Sequence, residues 1–256
     1  MFKDRRSIWT FLLSGLMVLL AAGAALAGEA DIVLPDLSQV GFLNGTLSGI
    51  TILNAGLIIC VIGMIFGIIQ YVQTKNLPAH QSMLDVSQTI WETCKTYLLQ
   101  QGKFLIALWI LIAICIIYYF GALSGMAAGG IFVILVCSIL GILGSYVVAW
   151  FGIRINTVAN SRAAFSSFSR NPISMLSICL RSGMSVGLLL VSIELFFMII
   201  ILAYIPKELA GPSFIGFAIG ESLGASALRI CGAIFTKIAD IGSDLMKIVF
   251  HLPEDD

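Results

Sequence analysis

Three stretches of this chain, residues 52–72, 104–121 and 131–152, contain no charged side chain. Two more are almost as apolar: residues 185–205, interrupted only by Glu194, and residues 214–235, which carry Glu221 and Arg229. At about 1.5 Å per residue, a helix of this length reaches across the roughly 30 Å hydrocarbon core of a bilayer. The composition agrees, with 59% hydrophobic residues, 11% charged residues and a mean hydropathy of +1.03. A soluble domain carries about a quarter charged residues, so that class is excluded. The expected fold class is all-α: a polytopic helical membrane protein forming part of a multi-helix bundle, with a signal-like first helix plus five spans.

The N-terminal segment fits this plan. Lys3, Arg5 and Arg6 precede an apolar run over residues 8–24, and Ala25-Leu-Ala27 before Gly28 has the small-x-small form of a signal-peptidase site. Residues 1–27 are therefore read as a signal peptide or a first span. Residues 28–51, with Glu29, Asp31 and Asp36 but no Lys or Arg, form an expected periplasmic segment.

The loops orient the spans. Residues 73–103 carry Lys75, Lys95 and Lys103, and residues 153–183 carry Arg154, Arg162, Arg170 and Arg181. The alternate loops, residues 28–51, 122–130 and 206–213, hold Lys207 as their one basic residue. The positive-inside rule then makes the basic loops cytoplasmic and sends the fifth span out into the cytoplasm. The expected location is a bacterial-type inner membrane, with residues 237–256 on its cytoplasmic side. Loop 73–103 is expected to hold an amphipathic helix starting near Asn76-Leu-Pro78. Its apolar face is Met83, Val86, Ile90, Cys94 and Tyr97, suited to an interfacial or bundle-capping position. Gly63/Gly67, Gly141/Ser145 and Gly216/Gly220/Gly224 recur every four residues, the spacing that favours close helix contact.

Formal net charge is zero, so no nucleic-acid partner is implied. Six scattered cysteines without a C-x-x-C pair, and only two histidines, argue against disulfide frameworks and zinc sites. The chemistry concentrates in the last helix. At about 100° per residue, Arg229, Lys237, Asp240, Asp244 and Lys247 fall within an arc of roughly 80°. Asp240 and Asp244 stand one turn apart, and two such carboxylates with phosphate oxygens and water suit Mg²⁺. Lys237 can meet a phosphate oxygen as a point charge. A solvated helix end with i, i+3 and i, i+4 ion pairs would use the same residues. Arg229 lies about two turns inside the span, where a charge lines an ion path or snorkels to the surface. Glu194 and Glu221 are each candidate partners for it.

Three stretches resemble the membrane-bound, ion-translocating inorganic pyrophosphatases. Leu77 to Leu98 with Gln101-Gly-Lys-Phe104 is similar to that family's first cytoplasmic loop. Ala159-Asn-Ser-Arg162 and Arg181-Ser-Gly183 are similar to its second. Phe235 to Leu245 with Pro253-Glu-Asp-Asp256 resembles the segment that opens its active site. The resemblance implies a homodimer of about sixteen helices per protomer in two rings, hydrolysing Mg²⁺-pyrophosphate in a cytoplasmic funnel and moving H⁺ or Na⁺ outward. It gives Asp240 and Asp244 catalytic and metal-binding roles, Lys237 a substrate contact, Glu254 a further metal-binding carboxylate and Arg229 a place in the ion pathway. Mg²⁺ is the implied cofactor, with K⁺ an additional one in some full-length members.

The chain departs from the family pattern at Phe235, where Tyr is usual, at Ile238, where Ala is usual, and around Lys247-Ile-Val249, where an acidic residue is missing. The family's next Asp-Asn-Val-Gly-Asp repeat and further helices are absent from this sequence. Residues 52–256 therefore read as the N-terminal part of such a pump, expected to be inactive alone. The alternatives are a non-enzymatic membrane subunit and a small ion transporter using the charged fifth span.

Overall fold

The computed structural model describes residues 37, 41–42 and 47–250. The signal-like residues 1–27, most of the 28–51 segment and Glu254 lie outside the described residues. A two-residue antiparallel hairpin comes first: β1 (Gly41–Phe42) pairs with β2 (Leu47–Ser48), setting Gly41 against Ser48. Among the described residues, five helices follow: α1 (Gly49–Lys75), α2 (Gln81–Ile117), α3 (Ala128–Ser167), α4 (Pro172–Tyr204) and α5 (Lys207–Phe250). The end of α2 rewinds as a π-helix over Tyr118–Leu123.

Local chemistry explains where the helices begin. The Ser48 hydroxyl accepts from the Thr51 amide at 3.3 Å, and His80 Nδ1 accepts from the Ser82 amide at 3.3 Å. At α4 the Asn171 side chain accepts from the Ile173 amide at 3.1 Å, with Pro172 at the first helical position. The turn from α2 into α3 passes through Gly125 at φ 64°, a left-handed conformation that only glycine adopts without strain.

Among the described residues four helices, α1 to α4, are long and apolar enough to cross a membrane, and the chain is a multi-pass membrane protein. The fifth expected span, residues 214–235, falls on the middle of α5. Glycine, serine and Glu221 dilute its apolar character, and its first part is sunk into the protein: Gly216, Phe217, Gly220 and Gly224 are buried.

Helix α3 is the hub, packed against α5, α4 and α2, while α1 lies along α4. Glycine sets the two tightest contacts. Helices α3 and α5 run parallel, so Gly216 faces Ile134, Gly220 faces Ser138 and Gly224 faces Ser145. A Cβ on Gly216 would come within 2.6 Å of the Ile134 carbonyl oxygen, and one on Gly220 within 2.8 Å of the Ser138 carbonyl carbon. Helices α1 and α4 are antiparallel, with Gly63 against Ser192, while the Ser185 hydroxyl donates to the Gly67 carbonyl at 2.9 Å. Tyr204 closes the far end of this pair by donating to Asn54 Oδ1 at 2.9 Å. All three small-residue series thus mark real helix contacts.

The amphipathic helix expected after Asn76-Leu-Pro78 differs in two ways. It begins at Gln81, capped by His80, and it does not end before the membrane but continues to Ile117 as one 37-residue helix. Between Tyr97 and Phe104 the only weak helix former is Gly102, too little to break the ladder. Its buried face is also rotated: Trp91, Cys94 and Leu98 are buried, whereas Val86 is exposed. Helix α3 explains the rotation. Trp91 packs edge-on against Trp150 with centroids 5.5 Å apart, and the Arg154 guanidinium lies 4.6 Å from the Trp91 ring centroid. Tyr146 donates to the Leu98 carbonyl at 2.9 Å, and Ser87 to that of Thr157 at 2.9 Å.

Candidate functional site

The second half of α5 carries the residues singled out from sequence. Arg229, Lys237, Asp240 and Asp244 are all exposed, and no atom within 4 Å would meet a Cβ built on Gly232. This part of α5 projects beyond the tight α3 contact. Extending the register of Gly216 with Ile134 and Gly220 with Ser138 sets Asp240 and Asp244 about level with Val158 and Arg162.

Lys237 Nζ stands 4.0 Å from Asp240 Oδ2, with the side chains 80% and 61% exposed. An exposed i, i+3 pair at this length contributes about 0–1 kcal/mol, so it leaves both groups free for a ligand. Asp244 sits one turn further along the same face. Two carboxylates and one ammonium are the donor set present. Among the described residues no three Asp, Glu, His or Cys side chains converge on a point. The set fits Mg²⁺ as part of a shell, since that ion takes one or two carboxylates and completes its octahedron with water and phosphate oxygens.

Arg229 makes no ion pair with Glu194 or Glu221. Those two glutamates instead lie beside each other across the α4–α5 contact. The Ser145 hydroxyl donates to the Glu221 carbonyl at 3.3 Å, tying the pair to α3. Arg229 follows Glu221 by about 12 Å along the helix, out of side-chain reach.

Sequence reasoning gave Arg162 a topological role, and its place in the fold adds another. Its Nη1 donates to the Val158 carbonyl at 3.2 Å and to Ser161 Oγ at 2.9 Å. Its Nη2 reaches across to the Lys75 carbonyl at 3.0 Å, closing the C-terminal end of α1. Burial lowers the guanidinium below its ordinary value, opposed by Tyr71 and reinforced by the like charge of Arg154. The signal for this role was the unmet carbonyls at the end of α1, but nothing in the sequence says which arginine meets them.

A multi-pass helical membrane protein with one charged helix face standing clear of the bundle is thus the class that the fold and site define. Residues 61–256 match the family model described as "Inorganic H+ pyrophosphatase". The chain belongs to this family of H⁺-translocating inorganic pyrophosphatases. It is 62% identical over 201 residues to the "K(+)-insensitive pyrophosphate-energized proton pump" of Chlorobaculum tepidum, covering 78% of this chain and 27% of that protein. The pump of the same description from Pyrobaculum aerophilum is 29% identical over 210 residues, covering 78% of this chain and 28% of that one. A "Putative K(+)-stimulated pyrophosphate-energized sodium pump" of Bacteroides thetaiotaomicron is 34% identical over 120 residues, 41% of this chain and 16% of that one. The chain spans about a quarter of the length of the first two relatives. No solved structure matches it.

Proposed function

We propose that this chain supplies one wall of a Mg²⁺-pyrophosphate site whose hydrolysis drives H⁺ outward. The observation that carries the reading is the placement of Lys237, Asp240 and Asp244 together on the free face of α5, in a chain 62% identical to a pyrophosphate-energized proton pump. Asp240 and Asp244 would hold Mg²⁺, with Glu254 a further carboxylate, and the metal supplies neutralisation of the phosphate oxygens. Lys237 binds a phosphate oxygen as a point charge, and the Asp240 and Asp244 carboxylates orient water for in-line attack. Arg229 lines the ion path below this site. The basic loops support a cytoplasmic location for the site, and family membership supports a homodimer.

One wall does not make a funnel, so the chain by itself is expected to leave pyrophosphate intact. The decisive experiment transplants residues 52–256 into the corresponding part of the Chlorobaculum tepidum pump and follows phosphate release and proton uptake in inverted vesicles. The chimera is expected to be active, with Asp240→Asn and Asp244→Asn each lowering hydrolysis at least a hundredfold. Hydrolysis retained by either variant would overturn the assignment, and so would robust turnover by the isolated chain.

A further inference from the structure

Helices α2 and α3 stay in contact between the two ends of their packing, through the Tyr146 bond to the Leu98 carbonyl and the Trp109 Nε1 bond to Ser138 Oγ, and leave a groove alongside. Towards one end Trp91 meets Trp150, and towards the other Ile116 and Phe120 close on Ile134. In between lies an apolar groove of about 640 Å³, walled by Leu99, Gly102 and Ile106 of α2 and by Leu143 and Tyr146 of α3. Gly102 leaves this gap open by presenting no side chain towards Tyr146, whose ring lies against the glycine.

The direction of the opening decides what can fill the groove. Gly141 of α3 backs directly onto α5. Leu143 is two residues on, about 200° around the helix, and so faces the opposite way. Leu143 and Ile106 are 49% and 61% exposed. The groove therefore opens away from α5, the helix whose charged face must meet the rest of a catalytic site. It opens onto the outer side of the bundle, where a membrane protein meets lipid.

The groove carries one charge. Lys103 is exposed on its wall and immediately precedes the uncharged run 104–121, so it stands where the apolar span begins. The Tyr146 hydroxyl donates to the Leu98 carbonyl, which leaves the Lys103 ammonium as the free donor at this place. An apolar slot with a single cation at the start of a span is complementary to an anionic amphiphile. We propose that this groove seats one acyl chain of an anionic phospholipid, with the headgroup phosphate held by Lys103.

The test uses the full chain and phosphatidylglycerol or phosphatidylcholine as probe. In native mass spectrometry the wild type is expected to retain phosphatidylglycerol about fivefold better than phosphatidylcholine, the preference one lysine near a headgroup provides. Lys103→Gln should erase that preference while keeping basal retention, and Ile106→Trp, which fills the slot, should lower retention of both lipids. Independently, benzoylphenylalanine at position 106, irradiated in vesicles of equal phosphatidylglycerol and phosphatidylcholine, should yield a phosphatidylglycerol adduct. Equal retention of the two lipids by the wild type would refute the proposal, as would a preference that survives Lys103→Gln. A position-106 crosslink to a second copy or to another polypeptide would refute it too, and this measurement decides the matter even if Lys103→Gln fails to fold.

Discussion

Replacing Gly220 by alanine tests whether the α3–α5 contact is set by backbone approach or by general apolarity. The added Cβ would lie 2.8 Å from the Ser138 carbonyl carbon and 3.0 Å from its Cα, and closer still to the carbonyl oxygen. Ordinary van der Waals contact begins near 3.4 Å, so the helices must part by roughly 0.6 Å or more, because backbone cannot rotate out of the way. Overpacking of this kind costs about 1–3 kcal/mol. Parting also strains the Ser145 bond to the Glu221 carbonyl, which crosses the same contact (3.3 Å). Gly187 is the matched control: it lies inside α4 with nothing within 4 Å of a built Cβ. Alanine there should stabilise the helix by about 0.5–1 kcal/mol, since glycine gives up more backbone freedom on folding. The two variants should therefore move in opposite directions, separated by about 1.5–4 kcal/mol. Thermal unfolding of detergent-solubilised protein, followed by far-UV circular dichroism, reads the difference. Gly220→Ala unfolding with or above Gly187→Ala would refute the close-approach account.

Other outcomes follow from the same geometry. Arg162→Gln should free the end of α1 and cost about 1–3 kcal/mol, read as faster amide exchange around residues 72–80; unchanged exchange would show that the Lys75 carbonyl does not depend on Arg162. Trp91→Ala removes both the ring against Trp150 and the support beneath Arg154, and should cost about 3–5 kcal/mol in the same unfolding assay. Asp240→Asn should leave unfolding within about 0.5 kcal/mol of wild type, because its ion pair is exposed and long, while abolishing hydrolysis in the chimeric pump. A large loss of stability there would mean that Asp240 holds the fold rather than a ligand.

Much of the architecture was legible because membrane burial writes itself into sequence one residue at a time. Uncharged runs 52–72 and 131–152 each fall inside one long helix, and run 104–121 passes from α2 into its π-helical end. The glycine and serine series at four-residue spacing named both tight interfaces before any partner was known, since only small residues let backbones approach. The amphipathic segment 83–97 was harder. Its helical period was visible, but the choice between the faces led by Ile90 and Trp91 depended on Trp150 and Arg154, far away in the chain. The site was readable as a charged arc on one helix, and it remains one arc: the described residues bring Lys237 near Asp240 and add no third carboxylate.

By itself, the sequence determined that this is a multi-pass helical protein, which glycines lie at its interfaces, and that Arg229, Lys237, Asp240, Asp244 and Lys247 share one face of α5. These follow from periodicity and from the cost of burying charge, which are local properties. Only the tertiary structure decided that Glu194 lies beside Glu221 rather than meeting Arg229, and that Arg162 closes the end of α1. It alone showed that an apolar groove lies beside the α2–α3 contact at Gly102. Each of these outcomes depends on the relative height and rotation of two helices. Those are set by packing summed over the whole contact, which no single segment of the chain encodes.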